Sequence, residues 1–121
     1  MEEWEVDFAY QRVRHLIKAK FGREGLPNMD AMLFLIGVQE LGRWRQDFTK
    51  EQKQDLMHVA VCRLFAAEGH YEFIGRDDEG WPHYKLRSKI APVDLGGQEV
   101  LLKQKIVAYF QELEDEEGLI G

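Results

Sequence analysis

Residues Ala31 to Val38 read Ala-Met-Leu-Phe-Leu-Ile-Gly-Val, the longest uninterrupted apolar run in the chain. The run lies within a helical pattern from about Asn28 to Leu41, and Asn28 is a favourable N-cap residue. A helix that is apolar on every side must be covered on most of them, and this run is far shorter than the roughly 20 residues that cross a bilayer. We therefore predict the central helix of a small soluble domain. Its interior glycine, Gly37, is expected where another helix crosses closely.

The composition is that of one globular domain. The chain has 121 residues, 45% of them hydrophobic and 31% charged, so a single domain over residues 1–121 is predicted. Four acids in residues 1–10 and five in residues 112–117 leave 13 acids against 16 bases elsewhere, although the net charge is -6. We expect residues 1–5 and 114–121 to be acidic ends that fray. One cysteine and an N-terminus without a basic-then-apolar leader favour a cytoplasmic location.

Helical periodicity marks three further segments. Apolar residues at steps of three and four predict a first helix from Glu3 to Phe21. A capping box, Thr49-x-x-Gln52, begins a third helix that is expected to end at Glu68. A last helix follows residues 94–97 and carries an apolar stripe from Leu102 to Leu113. The prediction is therefore a mainly helical protein with four helices.

Between the third and last helices the apolar period changes to two, which is typical of strands. Residues 70–76 and 81–87 flank the turn sequence Asp77-Asp78-Glu79-Gly80, so we predict a β-hairpin with a four-residue loop. The proposed register pairs Arg76 with Trp81. Its other pairs are Tyr71 with Leu86, Glu72 with Lys85 and Phe73 with Tyr84. The fold class is then α+β, with one hairpin between helices 3 and 4.

The side chains that covalent catalysis requires are scarce. The chain has one serine, one threonine and one cysteine, namely Ser88, Thr49 and Cys62. Thr49 is used as a helix cap, and Cys62 lies in an apolar segment where a thiol behaves as a small hydrophobe. No Gly-x-Ser-x-Gly elbow, Walker A motif or Gly-x-Gly-x-x-Gly motif is present. We therefore predict a protein that is not an enzyme and needs no cofactor.

One set of residues has the spacing of metal ligands. Asp55, His58 and Cys62 follow one another at i, i+3 and i+7, so they share one face of the third helix and could offer oxygen, nitrogen and sulfur to one ion. The alternative is that His58 is hydrogen-bonded to Asp55 at the rim of a buried stripe that contains Cys62. We favour this alternative, because no second motif supplies the remaining ligands.

Basic residues beside aromatic ones raise the question of nucleic-acid binding. Residues Arg12 to Arg23 form a basic stretch, and the tripeptide Arg43-Trp44-Arg45 places an aromatic ring between two guanidinium groups, which can hold phosphates and stack on bases. The alternative, which we favour, is a solvated helix face and a protein-contact surface, because arginine and tryptophan are enriched at contact hot spots. The predicted contact residues are Arg43, Trp44, Arg45 and Trp81.

Three helices followed by a hairpin, with the long helix leading directly into it, resemble the winged-helix arrangement over residues 28–88. The resemblance implies that residues 55–68 replace the recognition helix and that residues 77–80 form the wing tip. In winged-helix proteins that read DNA, these elements carry basic or amide side chains, whereas here they are rich in carboxylates. We therefore expect a variant that contacts a protein partner or a second copy of itself, with nucleic acid disfavoured and no membrane association.

Overall fold

The predicted four helices and single hairpin are confirmed in the computed structural model, which describes residues 2–22, 24–43, 45, 47–89 and 95–116. The third helix ends two residues before the predicted Glu68. Trp44, Arg23 and most of the predicted acidic tail lie outside the described residues. The elements in chain order are α1 (Glu3–Phe21), α2 (Met29–Leu41), α3 (Lys50–Ala66), β1 (Tyr71–Arg76), β2 (Pro82–Leu86) and α4 (Leu95–Glu116).

The described residues divide into two compact units. Residues 2–32 and 95–116 form the first unit, and residues 33–89 form the second. The first turn of α2 is therefore counted with the first unit and the rest of the helix with the second. The single domain predicted from composition stays a prediction.

The first unit is built by α1 and α4. The apolar stripe predicted for α1 is buried except at Phe21, which is half-buried, and the stripe of α4 is buried at its centre and half-buried at Leu102 and Leu113. An ion pair joins the two helices, with Lys103 Nζ 2.9 Å from Asp7 Oδ1. Gly22 directly follows the last residue of α1, and its φ of 64° is the left-handed conformation common just after helices. Where the structure describes burial in α1 and α4, the buried side chains of these two helices are those of Val6, Tyr10, Val13, Ile17, Ile106, Val107, Tyr109 and Phe110.

The second unit depends on a close crossing between α2 and α3. A Cβ atom added to Gly37 would lie 2.6 Å from the carbonyl carbon of Leu56 and 2.8 Å from its Cβ atom. Real Cβ atoms do not approach other atoms so closely, so only glycine fits at this position. The expectation that another helix crosses at Gly37 is confirmed. Around the crossing, Val38, Leu41, Phe48 and Leu56 form a buried apolar cluster.

The residues that cap the N-termini of α2 and α3 act as the sequence predicts. Asn28 Oδ1 accepts a hydrogen bond from the backbone N–H of Ala31 at 2.9 Å and caps α2. Thr49 Oγ1 accepts from Gln52 N at 3.1 Å, and Gln52 Oε1 accepts from Thr49 N at 2.9 Å. This reciprocal capping box satisfies two backbone donors that a helix start leaves without partners.

The hairpin register is correct near its base and wrong at its tip. Tyr71, Glu72 and Phe73 pair as predicted, but Arg76 pairs with Pro82 and not with Trp81. The reason is a β-bulge between Phe73 and Gly75, where Gly75 has a φ of 125° that few other residues adopt. The bulge moves every later pair by one residue, so the loop contains five residues, 77–81, and not four.

The close crossing gives a direct test by mutation. Alanine at an unconstrained helix position is favoured over glycine by about 1 kcal/mol. In Gly37→Ala, however, the new methyl group overlaps the Leu56 backbone and must push α2 and α3 apart, and overpacking of this kind costs about 1–3 kcal/mol or more. We expect Gly37→Ala to lower the free energy of unfolding by about 2 kcal/mol, measured by urea denaturation.

Gly25→Ala is the control, because an added Cβ at Gly25 has no atom within 4 Å. It should change the free energy of unfolding by no more than about 0.5 kcal/mol. Equal stability of Gly37→Ala and the unmodified protein would contradict the crossing.

Candidate interaction surface

Among the described residues of the second unit, the large apolar side chains that are exposed lie on the hairpin. Phe73, Ile74 and Leu86 are 50%, 58% and 52% exposed. Phe73 pairs with Tyr84, with ring centroids 5.6 Å apart in an edge-to-face arrangement, and Leu86 pairs with Tyr71 on the same face. Ile74 has no cross-strand partner in the register because it occupies the bulge. We call Phe73, Ile74 and Leu86 the hairpin patch.

A groove adjoins the hairpin patch at Phe73. It has a volume of about 430 Å³, and the end of α3 and both strands line it. The small side chains Ala66 and Ala67 leave room at one side. Arg63 and Glu40 also line the groove, and they form an ion pair with Arg63 Nε 3.4 Å from Glu40 Oε1. The lining of the groove therefore combines apolar and charged side chains.

The structure describes three of the predicted contact residues, Arg43, Arg45 and Trp81, and each of them contacts another residue of the second unit. Arg43 donates a hydrogen bond from Nη2 to the carbonyl oxygen of Glu79. Arg45 Nε is 3.0 Å from Asp47 Oδ1, and its guanidinium group lies 5.1 Å from the centroid of the Phe48 ring. Trp81 packs against the same Phe48 ring at 6.5 Å. Arg43 and Trp81 attach the hairpin loop to the rest of the unit, and Arg45 lies against the Phe48 ring. Their role as a contact surface stays a prediction.

A second cavity, the α3 cleft, contains the residues that suggested a metal site. It has a volume of about 490 Å³, and α3 and the hairpin loop line it. Asp55, His58 and Cys62 all border the cleft. Its other lining residues are Gln52, Val59, Asp77, Glu79, Trp81, Pro82, His83 and Tyr84.

The contacts within the α3 cleft differ from the predicted ones. The hydrogen bond that the structure gives His58 is with the thiol of Cys62, whose Sγ lies 3.6 Å from Nε2, and not with Asp55. Burial raises the pKa of the Cys62 thiol, which makes the thiol a poor nucleophile at neutral pH. Among the described residues, no three histidine, cysteine or acidic side chains are grouped so that they could hold an ion.

The hairpin loop is organised by one carboxylate. Asp77 Oδ1 accepts hydrogen bonds from the backbone N–H groups of Glu79 and Trp81 at 2.9 and 3.0 Å. Its other oxygen, Oδ2, lies 2.9 Å from His83 Nε2. The hydrogen bond with His83, followed by the one from Trp81, lowers the pKa of the Asp77 carboxyl group.

Two arginines of the basic stretch of α1 have contacts within the first unit. Arg12 Nη2 lies 3.1 Å from Glu114 Oε1. Arg14 donates from Nε to the carbonyl oxygen of Pro27 at 2.8 Å and from Nη1 to Gln11. These contacts reduce the number of positive groups that could face a phosphate backbone.

Sequence reasoning did not identify the hairpin patch as a contact site. The register places Phe73 and Leu86 on one face, but it does not say whether α3 covers that face. The exposure of Ile74 depends on the bulge, and the only available signal for it was Gly75 inside a strand pattern.

Comparisons with protein-family models, with curated protein sequences and with solved structures each find no significant match. Across the described parts of the chain, none of the helices combines the length and apolar character that spanning a membrane requires.

The loop carboxylate gives a pH-dependent prediction. Because folding lowers the pKa of Asp77, its charged form contributes stability above the unfolded-state pKa of about 4, and this contribution is lost as the pH falls through the folded-state value. We expect Asp77→Asn to lower the urea midpoint of unfolding at pH 7, and we expect its difference from the unmodified protein to shrink as the pH falls below about 4 and Asp77 becomes protonated.

Asp78→Asn removes the same charge from the neighbouring exposed position and serves as the control. It should have a smaller effect at pH 7 than Asp77→Asn. An equal effect of the two variants at pH 7, or an Asp77→Asn effect that persists unchanged at low pH, would contradict the role assigned to Asp77.

Proposed function

We propose that the protein is a non-enzymatic protein-interaction module that binds its partner through the hairpin patch. The observation that carries this proposal is the half-exposure of Phe73, Ile74 and Leu86, three large apolar side chains on one short hairpin. Phe73 and Leu86 share one face of the hairpin, and Ile74 follows Phe73 in the bulge. Neighbouring exposed apolar side chains mark contact sites more often than isolated ones do. Their burial by a partner would remove apolar surface from water and so stabilise the complex.

The groove beside the patch supports the same function. A partner that covers Phe73 would also place a side chain in the groove between Ala66 and the hairpin. Desolvated pockets next to an aromatic anchor are where most binding energy is concentrated. The Arg63–Glu40 pair in the groove lining would add orientation more than affinity, because partly exposed ion pairs are worth little.

We propose that the second unit is a variant of the winged-helix arrangement, with α3 in the position of the recognition helix and the hairpin as the wing. The loop at the wing tip carries Asp77, Asp78 and Glu79, which would repel a phosphate backbone. The arginines near this loop have hydrogen-bonding partners within the unit. These charges favour a protein partner over nucleic acid, and we place the contact in the cytoplasm.

The proposal is tested by photocrosslinking in cells that make the protein. A benzophenone amino acid replaces Ile74, one of the three residues of the hairpin patch. The control carries the same group in place of Gln104, an exposed residue of α4. We expect a discrete crosslinked species from position 74 and none from position 104, because only the benzophenone on the hairpin lies within reach of C–H bonds of the bound partner.

Phe73→Ser and Leu86→Ser are then combined with the benzophenone at position 74. Truncation of hot-spot residues costs about 2 kcal/mol or more each, so the crosslinked species should fall at least tenfold while circular dichroism shows an unchanged helix content. Equal crosslinking from positions 74 and 104, or no effect of the serine substitutions, would contradict the proposal.

A further inference from the structure

A second exposed apolar surface lies on α1, in the first unit. Trp4 and Phe8 are 69% and 72% exposed, the highest exposures among the large apolar residues whose surroundings the structure describes. They are separated by four positions, so they lie next to each other on one helix face. The same face continues with the exposed residues Gln11 and His15. We call these four residues the α1 stripe.

The charges beside the α1 stripe are arranged symmetrically about Phe8. At 100° per residue, Glu5 and Arg12 lie on the same side of the stripe. Glu5 precedes Phe8 by three positions, and Arg12 follows it by four. Glu5 Oε1 accepts a hydrogen bond from the backbone N–H of Glu2 at 3.2 Å, and a carboxylate can accept further bonds. Arg12 pairs with Glu114, yet 49% of its side chain remains exposed, and its guanidinium group has five N–H donors, which is more than one carboxylate can use.

We infer that the α1 stripe binds a second copy of this chain, with the two α1 helices antiparallel about a two-fold axis near Phe8. In a two-fold interface, if residue i of one copy meets residue j of the other, then j also meets i. The axis places Phe8 against Phe8, each Trp4 beside the other copy's Gln11 and His15, and each Glu5 opposite the other copy's Arg12. The charged residues beside the α1 stripe are therefore self-complementary in this arrangement.

A partner other than a second copy would not require this symmetry. One acidic and one basic residue at nearly equal distances from a central aromatic residue are sufficient for two ion pairs in a two-fold dimer. In a parallel two-fold pair, by contrast, Glu5 and Arg12 of one copy would lie on the opposite side of the contact from those of the other copy, so neither Glu5 would meet an Arg12. The charges therefore select the antiparallel dimer. The inference shares the proposed class of function but uses a different surface from the hairpin patch.

The test uses two charge-reversed variants, Glu5→Lys and Arg12→Glu, and measures mass in solution by analytical ultracentrifugation. The unmodified protein should be a dimer. Each variant alone should dissociate at least tenfold more readily, because its homodimer would contain two like-charge contacts.

An equimolar mixture of the two variants should form a heterodimer, because both ion pairs are restored between the different chains. The lysine introduced at position 5 of one chain faces the glutamate introduced at position 12 of the other. The second ion pair joins the unaltered Arg12 of the first chain to the unaltered Glu5 of the second.

Three further variants separate this dimer from other effects. Phe8→Ala should weaken the dimer at least tenfold, while Lys20→Glu, at the far end of α1, should leave it unchanged. Phe73→Ser should also leave it unchanged, so failure of the dimer and failure of the hairpin contact are distinguishable. A monomeric unmodified protein at every concentration, or a mixture of the charge-reversed variants that forms no heterodimer, would overturn the inference.

Discussion

The contact between Gly37 and Leu56 is the constraint on which the second unit depends. With no Cβ at Gly37, the backbones of α2 and α3 approach more closely than any other residue would allow. Close approach buries the apolar side chains that surround the crossing, including Val38 and Leu41, which no partner then needs to cover. The cost of a glycine within a helix, about 1 kcal/mol relative to alanine, is offset by this packing.

The same packing determines what remains exposed. The hairpin packs the half-buried Trp81 against the cluster that α2, Phe48 and α3 form, and its Pro82 is buried. Phe73, Ile74 and Leu86 of the same hairpin remain half-exposed. The arginines at 43 and 45 are used to hold the loop and the Phe48 ring. Among the described residues, the exposed large apolar side chains of this unit therefore lie on the strands of the hairpin.

Much of the fold could be predicted because its signals are local. Helix periodicity, the capping box at Thr49 and the turn residues after Arg76 are each decided within a few positions, and each predicts the correct element. Gly37 also indicated the close helix crossing, since a glycine inside an otherwise apolar helix is favoured mainly where a neighbouring helix packs against its backbone.

The features that were missed depend on tertiary contacts. The bulge at Ile74 changes the register by one residue, and alternation alone cannot reveal it. Whether His58 forms a hydrogen bond with Asp55 or with Cys62 depends on how its side chain is rotated. The spacing of the three residues does not specify that rotation. The exposure of the hairpin patch depends on how α3 covers the sheet, and strand patterning identifies a shared face without saying what covers it.

Amide hydrogen exchange measured by NMR tests the central constraint most directly. If the Gly37–Leu56 crossing holds the second unit together, the amides of residues 36–41 and 56–62 should exchange most slowly in this unit and with a common free energy, because they open only when the whole unit unfolds. Exchange of these two segments that is faster than that of the hairpin, or that occurs at different free energies in the two helices, would contradict the account.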